Sequence, residues 1–315
     1  MAGTARFAQD ARMSAEANEF EVALAAALAR WGIALSPDQV AQLRRHYELM
    51  LAANKHMNLT RITAPVEAAV LHYADSLALL CWAGLERVCR DPLTLPSPPG
   101  GVFGVSLVGG GHASGAREAP SPLPPSPLPL SRGERGLEGP AGVDGQVDAR
   151  VEARVDGRRS GRLDVLDVGT GAGFPAIPLA VLRPEWRITA IDSTGKKIRF
   201  VEEALRELAL SNVTALHARS EHWHPPRPFE VVLLRAVAPL AEGMRKVAHL
   251  VRPGGYLIAY KSPQLEEPER AAAMVEARRL HLREVDRFHY DLHLREETIS
   301  RALWVSVTRP DAGVV

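Results

Sequence analysis

Cysteine is nearly absent from this chain. Two thiols in 315 residues, Cys81 and Cys89, build neither a disulfide framework nor a multi-cysteine metal site, and they fit a reducing compartment. Their bland role is that of small apolar side chains. A dominant charge is missing as well: 38 Lys and Arg against 37 Asp and Glu leave a formal net charge of +1. No whole-protein field would gather nucleic acid, so any such contact must come from a local patch. No stretch approaches the ~18 apolar residues that a membrane span needs. Asp10, Glu16, Glu19 and Glu21 interrupt the N-terminal alanines, unlike a cleavable secretion signal. The expectation is a cytoplasmic protein with no membrane contact and no metal. What remains, 46% hydrophobic and 24% charged residues, is the make-up of an ordinary globular chain.

Three regions differ in texture. Residues 1–84 read as helical. Ser36-Pro37-Asp38-Gln39 combines an N-cap, a first-turn proline and a capping-box glutamine, and Val40, Leu43, Tyr47, Met50 and Leu51 follow on one face. A further helical pair is predicted between Pro65 and Gly84. Residues 85–162 carry the run Pro120-Ser121-Pro122-Leu123-Pro124-Pro125 and the cluster Gly109-Gly110-Gly111 without a periodic apolar face. That composition predicts a disordered insert: a solvated, dispensable loop, or else a tether or an RNA-contacting arm.

Residues 163–315 alternate strand-like and helix-like runs, the pattern of a parallel sheet covered by helices. Strands are predicted at Leu163–Val168, Arg187–Ile191, Val213–His217, Phe229–Leu234 and Tyr256–Tyr260. Arg252-Pro253-Gly254-Gly255 reads as the turn into the last of these. Two more pieces, Leu282–Tyr290 and Ala302–Thr308, read as a closing antiparallel hairpin. The fold class is therefore α/β: a Rossmann-like, mostly parallel seven-stranded sheet with an N-terminal helical cap and an insert.

The chemistry concentrates at the first strand-to-helix turn. Gly169, Gly171 and Gly173 allow the backbone to pass close to a ligand, but Phe174 occupies the last position of a G-x-G-x-x-G frame, so the pyrophosphate-binding form is not matched. With Asp167 ahead of it, the turn reads D-x-G-x-G-x-G, which suits a ligand carrying an amine and a sulfonium. Asp192 ends the next strand, where a carboxylate accepts both hydroxyls of an adenosine ribose. Together they point to S-adenosylmethionine. A plain tight turn and a capping acid are the alternative reading.

Asn58-Leu59-Thr60, His72-Tyr73-Ala74-Asp75-Ser76, the run Asp167 to Pro175, Asp192-Ser193 through Lys196 and Phe200, and Arg235-Ala236 together resemble the bacterial 16S rRNA guanine-N7 methyltransferase family RsmG, also called GidB. The resemblance covers the cap and the core and misses the insert, which that family replaces by a short loop. It implies a class I methyltransferase that modifies 16S rRNA or the small ribosomal subunit; a monomer is the expectation, although the sequence does not fix the oligomeric state. It further implies cofactor contacts from Gly169 and Phe174, Ser220 and Glu221 flanking the adenine, and Arg235 closing the site. Lys261 is followed by Ser262 where the family commonly has glycine.

Two absences narrow the reaction. Carbon-5 pyrimidine methylation needs a cysteine nucleophile near the fourth strand, and both cysteines lie upstream. Exocyclic-amine methylation uses an Asn/Asp-Pro-Pro-aromatic loop where this chain has Leu234-Arg235-Ala236-Val237. Guanine N7 carries a free lone pair at neutral pH, so attack on a sulfonium methyl needs positioning and no general base. No catalytic residue is therefore expected. Asn58, His72, Asp75, Lys196, Lys197 and Arg199 are the candidate substrate contacts, with Arg44, Arg45, Lys55, His56 and Arg61 as a phosphate-binding surface or simply a solvated face. His72 and Asp75, one helical turn apart, either line the substrate cleft or form a structural pair. A methyltransferase on another RNA or a small metabolite, or a non-catalytic ribosome-binding module, are the alternative functions.

Overall fold

The structure is a computed structural model and describes residues 2–90 and 162–309. The insert predicted over 85–162 lies, from residue 91 to 161, outside the described residues. Its first residues do not: they form a helix.

The cap begins with α1 (Ala2–Ala29) and α2 (Pro37–Met57). The capping box forms as the sequence predicts: Ser36 Oγ accepts from the Gln39 amide, and the Ser36 amide donates to Gln39 Oε1. Asn58 ends α2 in the left-handed region at φ 50°. A continuous helical stretch follows through α3 (Pro65–Ala68), a π-helical segment (Ala69–Ala74), α4 (Asp75–Leu77) and a 3-10 turn (Ala78–Cys81). The π-helical segment holds His72 and Tyr73, and such widened turns recur at functional sites. Then α5 (Gly84–Arg90) extends the cap six residues beyond the predicted boundary, because Leu85 and Val88 find buried positions.

The sheet comprises β1 (Asp164–Val168), β2 (Arg187–Asp192), β3 (Val213–His217), β4 (Phe229–Arg235), β5 (Val251–Lys261), β6 (Leu282–Leu294) and β7 (Glu297–Thr308). Its order is β3-β2-β1-β4-β5-β7-β6, parallel except for β7, which runs antiparallel to both neighbours. Helices α6 (Ala176–Leu182), α7 (Gly195–Glu207), α8 (Leu240–Val247) and α9 (Glu267–Arg279) cover it. Two local expectations are corrected. Pro253-Gly254-Gly255 is an irregularity inside β5, where the pairing with β4 jumps from Phe229–Val251 to Val231–Tyr256; it is not a turn before the strand. The closing hairpin is also longer than predicted, because its polar outer half is held by cross-strand contacts such as Ser300 Oγ donating to Asp291 at 2.7 Å.

The cap docks on the core through one face of α2. Gln39 Nε2 donates to the Val181 carbonyl at 3.2 Å, Gln42 Nε2 to the Leu208 carbonyl at 3.0 Å, and Arg45 pairs with Glu207 at 2.9 Å. Beneath them Phe20, Leu43, Tyr47, Met50 and Tyr73 share one apolar cluster with Val165, Phe174 and Ile177. The cap is therefore part of the core's wall.

Candidate active site

A cleft of about 640 Å³ opens at the carboxyl ends of β1, β4 and β5. The turn after β1 forms its floor. Gly169 and Thr170 donate their amides to the Ile191 carbonyl at 2.8 and 3.0 Å, and the Gly171 amide donates to Asp192 Oδ2 at 3.1 Å. Asp192 Oδ1 takes the Thr194 amide at 2.8 Å, and Lys197 Nζ lies 3.7 Å from Oδ2. Asp192 thus shapes the glycine turn as well as ending β2. Gly171 sits at φ +61°, and a Cβ there would meet no protein atom nearer than the Gly169 carbonyl at 3.9 Å. Gly173 differs: its Cβ would strike Ile177 Cδ1 at 2.5 Å. The first glycine therefore keeps space open before the turn, and the second allows helix packing.

Asp167 is fully buried, with Oδ2 accepting the Ala176 amide at 3.2 Å and Oδ1 without a partner among the described residues. Burial pushes its carboxyl up to about 7. An orphaned acid oxygen under an open glycine cradle, beside Asp192, fits an amino-acid nucleoside such as S-adenosylmethionine.

The cap forms the opposite wall. The rings of His72 and Phe174 stack at 4.7 Å and 17°, and the Arg235 guanidinium lies 5.8 Å from the Phe174 ring. His72 Nε2 is 2.8 Å from Thr60 Oγ1. Burial first, and the Arg235 charge second, drive its imidazole down to about 3. Asp75 accepts Arg235 Nε at 2.8 Å on one oxygen and the Tyr290 hydroxyl at 2.7 Å on the other. His72 and Asp75 both line the cleft and have separate partners, so they are not a pair. Lys261 donates to the Ala238 carbonyl at 2.7 Å and to Glu269 at 3.0 Å, which holds the segment after β4. That segment begins with Ala236 at φ +55°, a left-handed residue in the lining.

Of the residues singled out in the sequence, Gly169, Gly171, Phe174, Arg235, His72, Asp75 and Lys197 border the cleft. Ser220 and Glu221 lie beyond β3 outside its lining; Ser220 Oγ donates to Glu221 at 3.1 Å, and Glu221 pairs with Lys246 at 3.5 Å. Asn58 is exposed and serves as the terminator of α2, while Leu59 and Thr60 reach the cleft. Lys196 and Arg199 are exposed outside it. Arg44 pairs with Glu21 at 2.8 Å and Arg45 with Glu207, which leaves less of the α2 patch open to phosphates. Sequence reading missed His46, Tyr260, Tyr290 and Arg301. The first three are buried and look like core residues, and Arg301 sits on a strand remote from every motif.

A model of the family described as GidB, rRNA small subunit methyltransferase G, matches residues 151–294. The ribosomal RNA small subunit methyltransferase G of Solibacter usitatus is 32% identical over 261 residues, covering 82% of this chain and 88% of that protein. The protein of the same name from Methylococcus capsulatus is 48% identical over 102 residues, 32% of this chain and 50% of that one. Among solved structures, M. jannaschii TYW2 in complex with AdoMet superposes with a TM-score of 0.38 and 15% identity, over 47% of this chain and 69% of that one. Because the Solibacter usitatus protein is more than 30% identical across most of both chains, the chain belongs to the ribosomal RNA small subunit methyltransferase G family.

Proposed function

We propose that the protein transfers a methyl group from S-adenosylmethionine to N7 of a guanine in small-subunit ribosomal RNA. One observation carries the choice of acceptor: among the described residues the cleft lining holds no side chain ready to act as a general base, and Asp167, with its value near 7, lies fully buried beneath the turn and outside that lining. Asp75 is engaged by Arg235 and Tyr290, Lys261 by Glu269, and the Tyr260 hydroxyl donates to the Ser76 carbonyl at 3.0 Å. His72, at about 3, holds its lone pair too weakly to take a proton. Such a site suits an acceptor that brings its own lone pair, as guanine N7 does, and disfavours amines or hydroxyls that must first lose a proton.

Gly169, Gly171 and Asp192 would hold the cofactor, with Phe174 and Arg235 closing its methyl-bearing end, and Ser220 and Glu221 toward the adenine. The cofactor supplies an electrophilic sulfonium methyl. The protein's own part is to exclude water and align the base: His72 and Phe174 offer aromatic faces to a ring that becomes cationic on N7 alkylation. Arg301 borders the opening and would take a flanking phosphate, while Lys197, also in the lining, stays beside Asp192.

Incubation with methyl-labelled S-adenosylmethionine and either free small-subunit rRNA or the intact subunit tests the proposal. N7 alkylation sensitises the nucleotide to reduction and strand scission, so one labelled guanine at one scission site is expected. Label spread over many guanines, confined to small molecules, or absent from both substrates would overturn it.

A further inference from the structure

The cofactor turn is held on one side by the sheet, through Asp192 and Ile191. On the other side it is held by a cap residue that no motif marks. His46 of α2 is completely buried, and its Nε2 lies 2.9 Å from the Ala172 carbonyl. A carbonyl only accepts, so Nε2 carries the proton. Nδ1 is then the acceptor, and it takes the Tyr73 hydroxyl at 2.9 Å. Burial lowers the imidazole to about 4, so this tautomer stays neutral near pH 7. The ring also packs on Phe174 at 5.2 Å.

The position of the bond gives it meaning. Ala172 lies between two left-handed glycines, Gly171 at φ +61° and Gly173 at φ +92°. Peptide planes flanked by glycines reorient at little steric cost. Here the plane joining Ala172 to Gly173 is pinned at both ends: its carbonyl by His46, and its Gly173 amide by the Thr170 carbonyl at 2.9 Å.

We propose that His46 is a positioning residue for the cofactor turn, fixing the Ala172–Gly173 peptide so that the turn is already shaped for its ligand and cofactor affinity depends on the hydrogen bond from His46 to Ala172. The inference rests on reading the cleft as an S-adenosylmethionine site. Linkage makes the dependence reciprocal: cofactor binding should tighten that bond.

The test compares His46→Phe, which keeps ring volume but loses both hydrogen bonds, with His46→Gln, which keeps a donor of similar reach. Leu43→Ala, a buried α2 residue away from the turn, controls for general loosening of the helix. Calorimetry of S-adenosylmethionine binding, melting temperature and hydrogen exchange over residues 169–175 are read for each. His46→Phe is expected to raise the Kd about tenfold and speed exchange in the turn, as the loss of a buried hydrogen bond implies. His46→Gln should recover most of that affinity. Leu43→Ala should lower the melting temperature at least as much while its Kd stays near wild type. Should His46→Phe not fold, His46→Asn, too short to reach Ala172, takes its place with the same expectations. An unchanged Kd in the donor-lacking variant, or an equal rise in Leu43→Ala at matched melting temperature, overturns the inference alone. A wild-type protein that binds no S-adenosylmethionine overturns the cofactor reading and the inference with it.

Discussion

Arg235 Nε donates to Asp75 Oδ2 at 2.8 Å, joining the end of β4 to the cap at a site where both side chains are nearly buried, 14% and 9% exposed. The same guanidinium donates to the Leu71 carbonyl, and the Tyr290 hydroxyl from β6 completes Asp75. Three parts of the molecule therefore meet on one carboxylate beside the cleft.

Removing that carboxylate strands a buried guanidinium. Asp75→Ala is expected to lower unfolding free energy by about 3 kcal/mol or more, since breaking one side of a buried pair leaves an uncompensated charge. Tyr290→Phe should cost only about 1 kcal/mol, the scale of one hydrogen bond. Urea titration of both variants checks the ratio; similar losses would mean that the ion pair contributes no more than the hydroxyl.

Gly171 and Gly173 are expected to fail in different ways. Valine at 171 projects into open cleft, so Gly171→Val should abolish S-adenosylmethionine binding while the protein stays folded, apart from the strain of a branched residue at positive φ. Gly173→Ala drives its Cβ into Ile177 and should show first as a fall in melting temperature. Binding calorimetry and thermal melts separate the two. Near-native affinity in Gly171→Val would remove the turn from the site.

What the sequence revealed and what it hid divide along physical lines. The glycine turn, the capping box at Ser36 and the strand alternation are local signals, set by neighbours a few residues apart, and the structure contains them. Roles created by distant partners were not legible. Asn54-Lys55-His56 reads as the polar break after α2, yet the helix runs on to Met57 and ends at Asn58, a residue type suited to the left-handed cap, while Thr60 takes the cleft; nothing in α2 separates His46 from its apolar neighbours. Tyr290 and Arg301 reach the site only because β7 reverses direction between β5 and β6. The Pro253-Gly254-Gly255 run was misread because those residues, ordinarily breakers, also mark strand irregularities.

Asp167 gives a pH signature. Its folded value near 7 lies above the ordinary 3.8, so between the two the folded protein holds a proton that the unfolded chain has released. Stability from this group therefore falls as pH rises from about 4 to about 7 and is level above that. His46 and His72, depressed to about 4 and about 3, tilt the opposite way, with stability rising toward pH 6.5. The difference between wild type and Asp167→Asn isolates the carboxyl. Relative to wild type, the variant's melting temperature is expected to climb by about 5 °C between pH 4.5 and pH 8 without ligand. Parallel profiles would show that Asp167 does not titrate in that interval.

Arg301 separates substrate binding from cofactor binding. The other cleft cations are committed: Arg235 to Asp75, Lys261 to Glu269, and Lys197 near Asp192. Arg301 lines the same cleft with no hydrogen-bond or ion-pair partner among the described residues, so its guanidinium is the one placed to take a phosphate. Each phosphate contact releases counterions, which makes the logarithm of RNA affinity fall linearly with the logarithm of salt. Arg301→Ala is therefore expected to weaken binding of small-subunit rRNA about tenfold at low salt and to reduce the salt slope by about one unit. The Kd for S-adenosylmethionine should stay at its wild-type value, because Arg301 lies on β7, away from the glycine turn. Arg301→Lys should retain the slope and lose part of the affinity, since a point charge replaces a planar fork. Filter binding across a salt series measures both quantities. An unchanged slope in Arg301→Ala would place the phosphate contact elsewhere, and a matching loss of cofactor affinity would assign Arg301 to the shape of the cleft instead of to the RNA.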